Sequence, residues 1–123
     1  MNSEPSNKWK TKNLWVRTLP KAGWWKLTRI LVFVYKYEMI TVRAGFKTDL
    51  ASVPRVLRSF VSINGIHRRA AVLHDWLYNK KMYTRKECDQ IFKIALIECG
   101  CSTFVANTMY LGVRAGGWTR GRW

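Results

Sequence analysis

The stretch Val72-Leu73-His74-Asp75-Trp76-Leu77-Tyr78 places a histidine beside an aspartate in otherwise apolar surroundings. Imidazole and carboxylate are the two side chains most used to hold a divalent metal and to move protons near neutral pH. Two further carboxylates flank the pair in the chain, Asp49 upstream and Asp89 downstream. If the fold brings His74, Asp75, Asp49 and Asp89 together, they form a candidate catalytic centre. A divalent metal bound there would polarise a substrate oxygen and activate water. The reaction class would be hydrolysis of a phosphoester, in a nucleotide or nucleic acid, or of a cell-wall peptide. With only 7 acidic residues and 2 histidines in 123 residues, each such group calls for an explanation.

Helical geometry works against the metal. Adjacent helical residues point about 100° apart, so His74 and Asp75 share a site only at its edge. The spare histidine, His67, lies two turns upstream, about 10.5 Å along a continuous helix, which is far for joint ligation. The alternative is a structural polar clamp without any cofactor. In it His74 faces the core with Leu77 and Tyr78 and bridges Asp49 or the nearby loop. Asp75 lies close to Arg68, Arg69 or Arg55, and Asp89 takes a hydrogen bond from Tyr78 or Ser52, with Arg85 one turn away. The clamp is the favoured reading, and it implies no resident metal. The three cysteines, Cys88, Cys99 and Cys101, are an odd number in a spacing that suits neither a disulfide framework nor a zinc site, which points to a reducing compartment.

The elements that must position these residues are legible in outline. Residues 13–20 form a candidate strand. Residues 22–46 are rich in β-branched and aromatic side chains, with a turn at Lys36-Tyr37-Glu38 and an antiparallel return. The strand around Ile30–Tyr35 is apolar on both faces. Residues 46–57 form an ordered loop leading into a short helix near 55–61, and Asn64-Gly65 marks a turn. The period then changes from 2 to 3.6. Residues 68–80 form one helix, and Thr84 to Glu87 reads as a capping box opening a second that runs to Cys99 and stops at Gly100. A third begins at Ser102 or Thr103 and runs to about Arg114. The expected fold is α+β, an N-terminal antiparallel β-meander packed on three or four C-terminal helices. Residues 1–8 form a polar arm, 9–115 a single domain and 116–123 a basic tail rich in tryptophan and glycine.

The charge balance bears on partners. Lys and Arg total 22, for a formal net charge of +15 and a pI near 10.3. Self-repulsion on that scale opposes compaction, which suits a polyanionic partner better than a free-standing soluble enzyme. Nucleic acid, an anionic surface or acidic protein neighbours would each serve. Trp15, Trp24, Trp25 and Trp76 are read as core or hairpin packing. Trp9, Trp118, Arg120, Arg122 and Trp123 lie in polar, basic terminal segments and are the candidate binding residues, since indole and guanidinium groups favour interfaces. The polar N-terminus carries no signal sequence, and no apolar run is long enough to span a bilayer.

Two stretches carry a resemblance: Phe46-Lys47-Thr48-Asp49-Leu50-Ala51-Ser52-Val53-Pro54-Arg55 and Ala70-Ala71-Val72-Leu73-His74-Asp75-Trp76-Leu77-Tyr78. Together with Arg85, Asp89 and residues 109–118 they resemble a family of small uncharacterised phage and prophage proteins. The resemblance implies a tailed-phage or prophage source and supplies no activity. The expectation is a virion-associated structural or accessory protein of tail, baseplate, neck or capsid. It would be made in the host cytoplasm and bind other virion proteins in an oligomeric assembly. A metal-dependent phage hydrolase centred on His74 and Asp75, or a basic nucleic-acid-binding accessory protein, are the alternatives.

Overall fold

In the computed structural model of the chain, residues 7–48 and 67–119 are described, the last four by backbone alone. Six short strands precede three helices: β1 (Lys8–Trp9), β2 (Val16–Thr18), β3 (Trp25–Leu27), β4 (Leu31–Tyr35), β5 (Glu38–Val42), β6 (Lys47–Thr48), α1 (Arg68–Lys80), α2 (Arg85–Glu98) and α3 (Thr103–Thr119). The architecture is the expected α+β. The strands divide between two antiparallel sheets, ordered β1-β4-β5 and β2-β3-β6, so the chain does more than meander.

The first sheet is built on the apolar strand β4. Leu31, Val32, Phe33 and Tyr35 are buried, so this strand is covered on both faces, as its composition predicts. It joins β5 through a two-residue turn at Lys36 and Tyr37, whose φ values of 48° and 70° are those of a hairpin turn that follows the strand twist. Neither residue is glycine. A hydrogen bond of 2.9 Å from the Lys36 backbone N–H to Asn7 Oδ1 helps fix this turn. Lys8, the last residue of the expected polar arm, and Trp9 pair with Val34 and Phe33 as β1.

Helix α1 is buried from Ala70 through Tyr78, without the polar face of a surface helix. A helix enclosed all round is the central element of its domain. Its C-terminus closes on Lys81 in a left-handed conformation, with the N–H of Lys81 donating to the Leu77 carbonyl. Helix α2 starts at Thr84, whose hydroxyl accepts from the Glu87 N–H at 3.1 Å. Only this half of the capping box is present among the described contacts; Glu87 Oε2 instead accepts from Tyr35 Oη at 3.4 Å, tying helix to sheet. Gly100 follows α2 at φ 102°, a conformation that favours glycine. Helix α3 extends beyond Arg114 to Thr119. Leu73, Leu77, Ile91, Phe92, Leu96 and Met109 from the three helices join Phe33 and Ile40 of the sheet in one core.

Candidate functional site

The His74-Asp75 pair divides between two different partners. His74 is fully buried and its Nε2 lies 2.6 Å from Asp89 Oδ1, across the contact between α1 and α2. The same carboxylate oxygen accepts a 2.6 Å hydrogen bond from Tyr78 Oη, one turn along α1. The other oxygen, Oδ2, accepts from Arg114 Nη1 of α3 at 2.9 Å, with Arg85 Nη1 at 3.9 Å. Arg85 is turned away to donate to the Arg114 carbonyl at 3.1 Å. One fully buried carboxylate thus joins three helices.

Asp75 points elsewhere. Its Oδ2 accepts a 2.6 Å hydrogen bond from the Thr48 hydroxyl of β6, and Asn79 Nδ2 donates to its backbone carbonyl at 2.8 Å. Thr48, His74, Asp75 and Tyr78 each make further contacts beyond these. The consequence is two adjacent ties, one from helix to helix through Asp89 and one from helix to sheet through Asp75.

The electrostatics follow from that geometry. Burial acts to raise the Asp89 pKa, but hydrogen bonds from His74 and Tyr78, the charge of His74 and the hydrogen bond from Arg114 outweigh it and hold the carboxyl below its ordinary value. The group is therefore an ionised acceptor at neutral pH. Tyr78 is pushed upward, first by burial and then by the adjacent Asp89 carboxylate, so its hydroxyl stays protonated and donates. The imidazole of His74 is further enclosed by the rings of Tyr78 and Phe92, with centroids at 4.3 and 4.6 Å. His67 is also buried, and desolvation lowers its pKa.

Of the sequence-predicted site residues, His74, Tyr78 and Asp89 converge, Arg85 stands at the margin and Asp75 serves a separate contact. Asp49, Ser52 and Arg55 lie outside the described residues, as do the expected helix near 55–61, the turn at Asn64-Gly65, and Arg120, Arg122 and Trp123 of the tail; the Trp118 side chain is likewise outside them. His74 meets Asp89, and the expected bridge from His74 to Asp49 or the nearby loop falls on residues outside the described ones. Of the arginines expected near Asp75, Arg68 and Arg69 have their guanidinium groups over the rings of Trp25 and Trp9 at 4.6 and 4.7 Å, and Arg55 lies outside the described residues. Among the described residues, no group of three His, Cys, Asp or Glu side chains is arranged to hold a metal ion. Sequence reasoning missed Arg114 and Thr48 as partners. Their only local signals were a cation near the end of a helix and a hydroxyl next to Asp49.

Trp9 requires a correction. It is half-buried, its Nε1 donates to the Ala95 carbonyl at 3.1 Å, and its ring packs edge-on against Phe33 at 4.9 Å. It fastens β1 to α2 and does not project as part of a free arm. Trp15 differs from expectation in the opposite sense: it is 47% exposed, with the Arg29 guanidinium 4.5 Å from its ring centre.

The profile of one family covers residues 25–113, most of the chain and nearly all of this network. The chain belongs to DUF1353, a family described as protein of unknown function. The match takes in Thr48, His74, Asp75, Tyr78 and Asp89, and stops one residue short of Arg114. A relative in Sinorhizobium fredii, the uncharacterised protein y4iH, is 34% identical over 73 residues, which is 58% of this chain. The aligned part is 30% of that protein's length, so this chain spans under a third of its relative. No solved structure matches. Among the described residues, no helix is long and apolar enough to cross a membrane.

Proposed function

We propose that this DUF1353 protein is a docking component of a phage particle. In this reading its His74–Asp89 network is an internal lock and its cationic surface holds neighbouring subunits or another polyanionic component. The observation that carries this reading is the closure of the network. Both Asp89 oxygens are occupied by protein donors, and His74 and Asp89 have no solvent exposure. A hydrolytic centre needs at least one of these groups turned toward substrate or water. The phage setting is supported by the resemblance of the segments 46–55 and 70–78 to small phage and prophage proteins. The docking role is supported by the net charge of +15, whose self-repulsion a polyanionic partner would relieve.

Mass spectrometry of purified particles from an induced host that encodes this chain tests the reading. Copies at a fixed ratio to the known particle proteins are expected; a particle preparation that lacks the chain refutes residence there. For the lock, the discriminating measurement is hydrolysis of phosphodiester and peptidoglycan substrates with added divalent metals. Turnover that disappears in His74→Ala while the fold persists would establish the hydrolase alternative in its place.

A further inference from the structure

We propose that the outer face of the β2-β3-β6 sheet binds single-stranded nucleic acid, with bases stacked on Trp15 and Trp24 and phosphates held by Arg17, Lys26 and Lys47. The inference rests on the docking reading in assigning the excess charge to a partner, but it does not require residence in a particle.

Strand register places the three cations side by side. Arg17 is paired with Lys26, and Lys26 with Lys47, so one cross-strand row carries three positive charges and no other side chain. Directly opposed residues of an antiparallel pair share a face, and their Cβ atoms lie about 5 Å apart. Like charges in that relation are destabilising. No described carboxylate is ion-paired with Arg17, Lys26 or Lys47, and Asp75 reaches this sheet only at Thr48, on its opposite face. Arg17 and Lys47 are exposed and Lys26 is half-exposed.

The same parity brings an indole to each end of the row. Pairing continues past the strand ends: the Thr28 N–H donates to the Trp15 carbonyl at 2.8 Å, and the Leu19 N–H to the Trp24 carbonyl at 2.9 Å. Trp15 is two residues from Arg17 and Trp24 two from Lys26, so all four share one face. The opposite face turns inward, with Leu27 and Thr48 buried and Trp25 covered by Arg68. From Trp15 to the level of Leu19 and Trp24 is four residues, roughly 13 Å along the strand. Each indole already carries a cation over its ring, Arg29 at 4.5 Å from Trp15 and Lys21 at 5.1 Å from Trp24.

Each end is also concave. Leu19, Pro20, Lys21, Trp24 and Lys47 line an apolar groove of about 390 Å³. At the other end, Trp15 and Arg29 help to line a more polar groove of about 300 Å³. A platform of flat rings separated by a line of cations matches a strand whose bases are unstacked and whose phosphates recur at regular intervals. A duplex hides the faces of its bases. An acidic protein surface supplies charge but no flat rings in series, so both fit less well.

The test is fluorescence anisotropy of the full chain with labelled dodecathymidylate, a twelve-base-pair duplex of the same label, and polyglutamate as competitor, across a salt series. The single strand is expected to bind more tightly than the duplex, and polyglutamate to compete weakly. Combined substitution of Arg17, Lys26 and Lys47 by Gln should reduce the slope of log affinity against log salt by about 2, at about 0.7 per phosphate contact on single strands. Trp15→Ala and Trp24→Ala should each weaken binding roughly 5- to 150-fold while leaving that slope unchanged. Lys80, Lys86 and Lys93 changed together to Gln remove the same charge from the helices and should lower affinity less. Circular dichroism confirms that each variant is folded; none of the six sheet and helix cations is fully buried. The proposal is overturned if the sheet variant keeps the parental affinity and slope, if the helix variant loses as much, or if duplex binds better. Equal competition by polyglutamate would assign the face to an acidic protein. Failure here with the chain present in particles leaves docking intact, whereas binding without particle residence removes only the particle.

Discussion

Replacing Asp89 by Asn separates a structural lock from an incidental cluster. The carboxylate accepts from His74 and Tyr78 on one oxygen and from Arg114 on the other, at 2.6, 2.6 and 2.9 Å. An asparagine amide has one acceptor oxygen and one donor group. If its oxygen serves His74 and Tyr78, the amide N–H₂ faces the Arg114 guanidinium; the flipped amide faces the other two donors instead. Hydrogen bonds to a charged acceptor are worth about 1.5–3 kcal/mol each, and breaking a buried ionic contact from one side costs about 3–5 kcal/mol. Arg114 keeps 29% of its side-chain surface and recovers some hydration, so the lower half of that range is expected, about 3–4 kcal/mol. Against a domain stability of about 5–15 kcal/mol this is a large fraction, and in urea it should move the unfolding midpoint down by about 2 M. Tryptophan fluorescence follows the transition. Arg85→Gln, which removes a charge 3.9 Å from the same carboxylate and the donor to the Arg114 carbonyl, should cost less, about 1–2 kcal/mol. The acid limb gives a second readout. Because the folded pKa of Asp89 is depressed, its contribution is full above the unfolded value near 3.9 and is lost as pH falls through the folded value. Asp89→Asn should therefore flatten the loss of stability below about pH 4. A variant within about 1 kcal/mol of the parent with an unchanged acid limb would refute the lock.

Three further outcomes follow from the same contacts. Burial pushes the Cys88 thiol up to about 12 and the Cys101 thiol up to about 11, and the Cys99 thiol upward as well. Iodoacetamide at pH 8 should therefore label the native protein slowly and all three thiols rapidly in denaturant, read by intact mass. Thr84→Ala removes the hydroxyl that accepts from the Glu87 N–H and should lower stability by about 1 kcal/mol in urea unfolding. Trp9→Phe keeps a ring against Phe33 but removes the donor to the Ala95 carbonyl; a loss of about 1 kcal/mol in the same assay is expected, and no change would mean that β1 does not fasten the sheet to α2.

What the sequence discloses here is local, and what it conceals is long-range. Helix α1 falls at 68–80 as its period requires, α2 opens at Thr84, Gly100 ends it, and the hairpin turns at Lys36 and Tyr37. Each of those features depends on neighbours within a few positions. His74 as an inward-facing group was equally legible, since it shares a helical face with Leu77 and Tyr78. Its partner was not: Asp89 is 15 residues away on a second helix, and Arg114 is another 25 on, brought in by the crossing of α3. Of the three arginines expected near Asp75, Arg68 and Arg69 lie over indole rings and Arg55 is outside the described residues, while a hydroxyl 27 positions upstream donates to the carboxylate. The two misplaced tryptophans have one cause. Trp9 and Trp15 lie in short strands whose facing depends on register, and a shift of one residue exchanges inside for outside. A clue existed for Trp15, since it shares strand parity with Arg17, a residue expected to face water.

The two halves of the molecule are physically connected through this allocation of charge. Of seven acidic residues, Asp75 and Asp89 are buried, and Glu38 and Glu87 accept hydrogen bonds from Tyr83 at 2.7 Å and Tyr35 at 3.4 Å. These are interior ties and links from the sheet to α2 and to the loop before it, and they leave the cations of the β2-β3-β6 face without a nearby described carboxylate. Moving one acid there tests the connection directly. Thr28→Glu places a carboxylate on the same face as Lys26, two residues along β3 and opposite Trp15. If the row is held apart by like-charge repulsion, this variant should be more stable than the parent by about 0.2–1 kcal/mol at low salt, with the gain fading as ionic strength rises. If the row also holds phosphates, the same variant should bind dodecathymidylate less tightly. A gain in stability joined to a loss of binding is the signature of a surface kept cationic for its partner; a variant that gains neither stability nor loses affinity would break the link between the two.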